Sequence, residues 1–171
     1  MNFHIDLRIP NLRRILVCLL ALLTMPIGAA SAQDEVVASS SIAIVVHKDA
    51  EVDNLSLAEL RSIFLAERQV WQDRQRIILL VRAPQSDERD FVLNKIYQMS
   101  EAQFRQYWIA KMFRAEVPRG PKIVFSTDMT LELVTAIPGS ISFMRATDVS
   151  DDVKLVRVDG KLPTETGYQL Q

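Results

Sequence analysis

From Ser41 onward, short and almost uninterrupted apolar runs alternate with longer stretches in which apolar residues recur every three or four positions. The first run, IAIVVHK, has hardly any polar interruption, which is the pattern of a strand covered on both faces. NLSLAELRSIFLAER follows it. There Ser56 and Glu59 make a capping box, Leu55 and Leu60 make a hydrophobic staple, and Leu57, Leu60 and Phe64 share one helix face. A polar turn, QVWQDRQ, holds Trp71 and leads into the second apolar run, RIILLVR. The pattern then predicts a helix from about Ser86 to Met99. Ser100 with Gln103 forms a second capping box, stapled by Met99 and Phe104, and Phe104, Trp108 and Met112 continue at helical spacing. A break at Val117-Pro118-Arg119-Gly120-Pro121 precedes the strand candidate KIVFS. Asp128 to Ile137 reads as a short helix with Leu133, Val134 and Ile137 inward, stopped by Pro138-Gly139. SISFMRA and VKLVRVDG are two further strand candidates, and the residues after Gly160 read as a poorly ordered tail. Strands with apolar interiors alternating with helices of ten or so residues predict an α/β fold, a sheet flanked by helices. Ligands in such folds sit off the carboxyl ends of strands, which directs attention to the segments after Val81, after Phe125 and around Gly139.

The N-terminal segment has a different pattern. Arg8, Arg13 and Arg14 precede an apolar run from Ile15 to about Ala30, and Ala30-Ser31-Ala32 supplies an A-x-A cleavage pattern. Residues 1–32 are therefore read as a secretory signal peptide. An uncleaved anchor is the competing reading, but the run is short for a span and is interrupted by Pro26 and Gly28. Residues 33–40 form a polar, flexible leader, residues 41–160 the folded domain, and residues 161–171 the C-terminal tail. The expected destination is the periplasm, with no stable membrane insertion after cleavage.

Charge and composition narrow the chemistry. Of 20 basic and 21 acidic residues, residues 1–32 hold three arginines and one aspartate, which leaves 17 and 20 and a formal net charge of −3. That balance offers no basic footprint for nucleic acid or anionic lipid. The single cysteine, Cys18, lies in the signal segment, so the exported chain has neither a disulfide framework nor a thiol nucleophile. His47 is the only histidine beyond the signal segment, with no Cys or His at a metal-ligand spacing, so no metal is expected. No Ser-His-Asp arrangement and no glycine-rich nucleotide loop can be assembled, and neither enzymatic activity nor a cofactor is expected.

The sharpest local signal is a strand end followed by a helix start. Arg82 closes RIILLVR, and Ser86 opens the next helix with Asp87 and Glu88 in its first turn. A helix N-terminus attracts anions through its free N–H groups and dipole. Ser86 is equally an N-cap with two favourable first-turn carboxylates. Arg82 can hold an oxyanion bidentately, or pair with Asp87 or Asp90. Ser126 and Thr127 open the later helix, as caps or as residues facing the same cleft. Ser140 reads as a turn residue, and Trp71, Tyr107 and Trp108 as packing aromatics.

LSLAELRSIFLAERQVW, RIILLVR, the Ser-led helix start, MSEAQFRQYW and IPGSISFM, in that order, resemble the periplasmic phosphate-binding proteins of ABC transporters, and more closely their short, single-lobe relatives. The resemblance covers about Ser41 to Val158. It implies an α/β, type 2 periplasmic-binding-protein-like domain, mainly one lobe, with a mixed sheet flanked by helices. It implies phosphate or a similar small oxyanion as ligand, and an ABC permease or another periplasmic protein as partner. The ligand-contacting residues it implies are Arg82, Ser86, Asp87, Ser126 and Thr127. The family's phosphate loop runs Arg, two residues, then Gly-Ser-Gly-Thr. Arg82 and Ser86 match it, whereas Gln85, Asp87 and Glu88 depart from it. Two like unit charges at 4 Å repel by about 1 kcal/mol in water and about 4 kcal/mol at an effective dielectric near 20, so those carboxylates would weaken an anion site. The alternative is a non-enzymatic interaction or sensor module on the same fold, with a degenerate anion site.

Overall fold

The computed structural model describes residues 41–171; the predicted signal peptide and leader lie outside the described residues. Six strands form one mixed sheet: β1 (Ile42–Val46), β2 (Asn54–Leu55), β3 (Ile78–Arg82), β4 (Lys122–Val124), β5 (Ser140–Arg145) and β6 (Lys154–Val158), in the spatial order β2-β6-β1-β5-β3-β4. β1 runs antiparallel to β5 and β6, whereas β3 is parallel to both β4 and β5, and β2 is parallel to β6. Four helices accompany the sheet: α1 (Leu57–Phe64), α2 (Asp87–Val92), α3 (Glu101–Phe113) and α4 (Thr127–Ala136).

Strand periodicity sorts the core into two layers. Ile44, Val46, Val81, Ile141, Phe143 and Val156 pack on one side with Leu60 and Phe64 of α1, Val92 of α2 and Phe104 and Trp108 of α3. Their alternates Val45, Leu80 and Met144 pack on the other side with Val134 of α4. All five residues of β1 are buried, as its unbroken apolar run predicts for a strand covered on both faces. The helix starts behave as read: both capping boxes are present, Ser56 with Glu59 and Ser100 with Gln103.

Four expectations are corrected. The helix from Ser86 keeps α geometry only to Val92, then widens into a π turn (Leu93–Tyr97) and stops at Gln98, whose φ is 55°. Leu93, Ile96 and Tyr97 of that turn are buried in the core. Met112 is exposed rather than packed with Phe104 and Trp108. Ser140 is a fully buried strand residue, not a turn residue, and its Oγ donates to the Val134 carbonyl at 3.1 Å. The segment after Gly160 is ordered by packing: Tyr168 and Leu170 are buried, the Tyr168 hydroxyl donates to the Ile42 carbonyl at 2.8 Å, and the Ile42 N–H donates to the Leu170 carbonyl at 2.8 Å. β2 was not legible, because two residues carry no periodicity and its pairing with β6 is non-local.

The turn before β5 explains the glycine of IPGSISFM. Gly139 has φ +79°, and a Cβ there would run into the carbonyl oxygen of Arg76. Its own carbonyl accepts from the indole N–H of the buried Trp71 at 3.0 Å, so the predicted polar turn around Trp71 is pinned to the start of β5.

Candidate functional site

Because β3, β4 and β5 are mutually parallel, their carboxyl ends emerge together. Arg82 ends β3, Ser126 and Thr127 follow β4, and Arg145 ends β5. The Ala83 N–H donates to the Val124 carbonyl at 2.8 Å, which fastens the loop after β3 to the end of β4.

Ser86 caps α2, with its Oγ accepting from the Arg89 N–H at 3.2 Å. Ser126 caps α4 in the same way, accepting from the Met129 N–H at 3.0 Å. Gln85, which stands where the phosphate loop of the resembling family carries its first glycine, has φ 72°. Gln85 thus holds a left-handed backbone despite its side chain, at a steric cost.

Arg82 pairs with neither Asp87 nor Asp90 among the described residues. Its Nε lies 3.9 Å from the Glu88 carboxylate, and its buried Nη1 has no hydrogen-bond partner among the described residues. Glu88 is shared with Arg145, whose Nε donates to it at 3.2 Å while Nη2 reaches the exposed Asp87 carboxylate at 2.9 Å. Burial pushes the Glu88 carboxyl up, but its own backbone N–H, the Arg145 hydrogen bond and the charges of Arg82 and Arg145 outweigh that and hold it below the usual glutamate range. Glu88 is therefore a carboxylate anion between two guanidinium groups.

Thr127 lies nearby in the topology but in a separate hydrogen-bonded group: its hydroxyl is 3.4 Å from Asp148, in the 3-10 turn that follows β5. Behind the loop, Arg89 is almost fully buried. Its guanidinium grips Glu101 of α3 with two hydrogen bonds of 2.8 and 3.0 Å, donates to the Arg82 carbonyl at 2.7 Å and lies 4.6 Å from the Phe104 ring centroid. Arg89 thus positions the backbone of Arg82. The structure brings Arg82, Ser86 and Asp87 together with Glu88 and Arg145. Sequence reasoning missed Arg145, which is distant in the chain and arrives only through the β3–β5 pairing. No group of three His, Cys, Asp or Glu side chains suited to a metal occurs among the described residues.

No protein-family model matches the chain. Solved structures do. An ABC-type phosphate transport receptor from Vibrio cholerae is similar with a TM-score of 0.57 at 19% identity, over 72% of this chain and 48% of that one. A putative phosphate ABC transporter substrate-binding protein from Clostridium perfringens, solved with bound phosphate, gives 0.62 at 19% identity, over 76% and 51%. PstS from Borrelia burgdorferi gives 0.60 at 16% identity, over 76% and 53%.

The chain has the fold of the phosphate-transport substrate-binding proteins. At that level the resemblance read from the sequence is borne out, as is the mixed sheet flanked by helices. The chain spans about half the length of those structures. Among the described residues, no helix is long and apolar enough to cross a membrane.

Proposed function

We propose that this chain is an extracytoplasmic solute-binding domain that takes phosphate or a similar small oxyanion at the carboxyl ends of β3, β4 and β5. The observation that carries this reading is Arg82, a partly buried guanidinium at a strand end whose buried Nη1 is unpartnered among the described residues, with a second guanidinium, Arg145, on the same carboxylate. In this reading the oxyanion takes the place of the Glu88 carboxylate between the two arginines, and Ser86, Asp87, Ser126 and Thr127 border it. Export by residues 1–32, a periplasmic location and an ABC permease or another periplasmic protein as partner belong to the same proposal.

Displacing a paired internal carboxylate opposes binding, and a residual repulsion of about 1–4 kcal/mol corresponds to roughly fivefold to a thousandfold in affinity. The same observation favours a second reading, in which Glu88 has taken over the anion site and the domain is an interaction or sensor module. Calorimetric titration of the exported protein with phosphate, with sulfate and arsenate as controls, separates the two. Saturable phosphate binding that Arg82→Ala abolishes and Glu88→Gln tightens supports the oxyanion reading. No heat and no thermal stabilisation at millimolar phosphate, in the native protein and in Glu88→Gln alike, overturns it in favour of the module.

A further inference from the structure

A cavity of about 680 Å³ lies at the opposite end of β3 from Arg82, bordered by the start of that strand, the end of α1, Trp108 of α3 and the Val117–Pro121 loop. That volume falls in the range of small-molecule sites. Its wall is largely apolar, with Ile63, Leu79, Trp108, Val117 and Ile137 among the contributing residues. Its charge is one-sided. Arg76, Arg119 and Lys122 line it, all three are exposed, and their side chains have no ion pair or hydrogen bond among the described residues. Arg68, a fourth cation on the wall, is already engaged by Glu59 at 3.7 Å and by the Trp71 ring. No aspartate or glutamate is among the lining residues. One wall residue also has an unmet need: Trp108 is 5% exposed, and its buried indole N–H has no acceptor among the described residues. Buried donors in finished cores are seldom left in that state.

We propose that this cavity is a second binding site, specific for a small carboxylate with an apolar body. The apolar wall takes the hydrocarbon part through burial, and the unpaired cations Arg76, Arg119 and Lys122 take the carboxylate at the rim. An inorganic oxyanion satisfies only the rim and leaves the apolar wall wet. An uncharged hydrocarbon satisfies only the wall. Selection for the combination is what the arrangement supplies, and it is independent of Arg82 and Glu88.

The test is titration of the exported protein with octanoate, followed by calorimetry and by the fluorescence of Trp71 and Trp108, with 1-octanol and phosphate as controls. Saturable octanoate binding is expected, at least about tenfold tighter than 1-octanol, unaffected by phosphate, and weakened at least about tenfold in the double variant Arg119→Ala/Lys122→Ala. Both positions are exposed, so the variant keeps its fold, which far-UV circular dichroism checks. Arg82→Ala is expected to leave octanoate binding unchanged, which separates this site from the one at the other end of β3. Absence of saturable binding at millimolar octanoate, or an affinity that the double variant does not change, overturns the proposal.

Discussion

The four α-helices begin in two ways. At α1 and α3 the cap is reciprocal: the serine accepts from the third helical residue, whose own side chain returns to the serine N–H, 2.9 Å for Glu59 and 2.8 Å for Gln103. At α2 and α4 the serine cap is present, but the third helical residues are Arg89 and Met129, neither of which has an oxygen to send back. The two half-closed starts are the ones that follow β3 and β4 at the carboxyl edge of the sheet. The difference separates two starts whose cap is closed in both directions from two that are closed in one direction only. At α2 the third position is used instead to send a guanidinium inward, and the second position, Glu88, supplies the carboxylate that meets Arg82 and Arg145.

The largest test of that comparison is Arg89→Ala. Removing one partner of a buried, bidentate ion pair costs about 3–5 kcal/mol, because the remaining charge loses its counter-charge. Glu101 retains some access to water, so the lower end is expected, read as a fall in the midpoint of urea unfolding. No comparable third-position substitution at α1 or α3 reaches that size. Next come the caps. Ser56→Ala, Ser86→Ala, Ser100→Ala and Ser126→Ala each lose about 1 kcal/mol of stability. If phosphate binds as proposed, only Ser86→Ala and Ser126→Ala are expected also to reduce the shift in melting temperature that it would produce. An equal effect at all four serines would erase the distinction between the two kinds of start.

These four starts also show what the sequence could and could not reveal. Ser-x-x-Glu and Ser-x-x-Gln are local signatures, so α1 and α3 were legible down to the bonding atoms. Ser86 and Ser126 were legible as caps for the same reason. Arg145 was not, because an arginine ending SISFMRA has no local meaning until β5 lies beside β3. The role of Glu88 was hidden in the same way: from sequence it is a favourable first-turn carboxylate, and its two arginine partners come from two different strands. The π turn at Leu93 and the packed tail were hidden because tertiary burial, not local propensity, decides them. Tyr168 and Leu170 are isolated apolar residues in a polar run, and their significance comes from Ile42 at the far end of the domain.

A smaller effect is expected with acid. Because the Glu88 carboxyl is held below its ordinary value of 4.5, its pairing stabilises the fold fully above that pH and the contribution is lost as pH falls through the lowered folded value. Glu88→Gln is expected to flatten the part of the stability profile that lies below about pH 4.5, measured by thermal melts across an acid series. A profile identical to the native one would mean that the two guanidinium groups do not hold this carboxylate in solution. The smallest effect belongs to Gln85→Gly. Relief of the left-handed strain at φ 72° is offset by the greater freedom of glycine in the unfolded chain, so the net change in stability is under about 1 kcal/mol. An unfolding midpoint that moves further would show that the Gln85 side chain has a role of its own.

The clasp between the tail and β1 bears on how the chain is completed as it is made. β1 is the centre of the sheet and the first element of the described fold, yet its partners are β5, β6 and Leu170, all from the last third of the chain. Such long sequence separation slows folding, because distant segments must meet before any contact rewards them. During N-to-C synthesis the most apolar strand is thus the first to emerge and the last to be covered. Until β5 and β6 are available the nascent chain holds a naked IAIVV run, the kind of surface that holding chaperones bind, and Leu170 then closes its first residue.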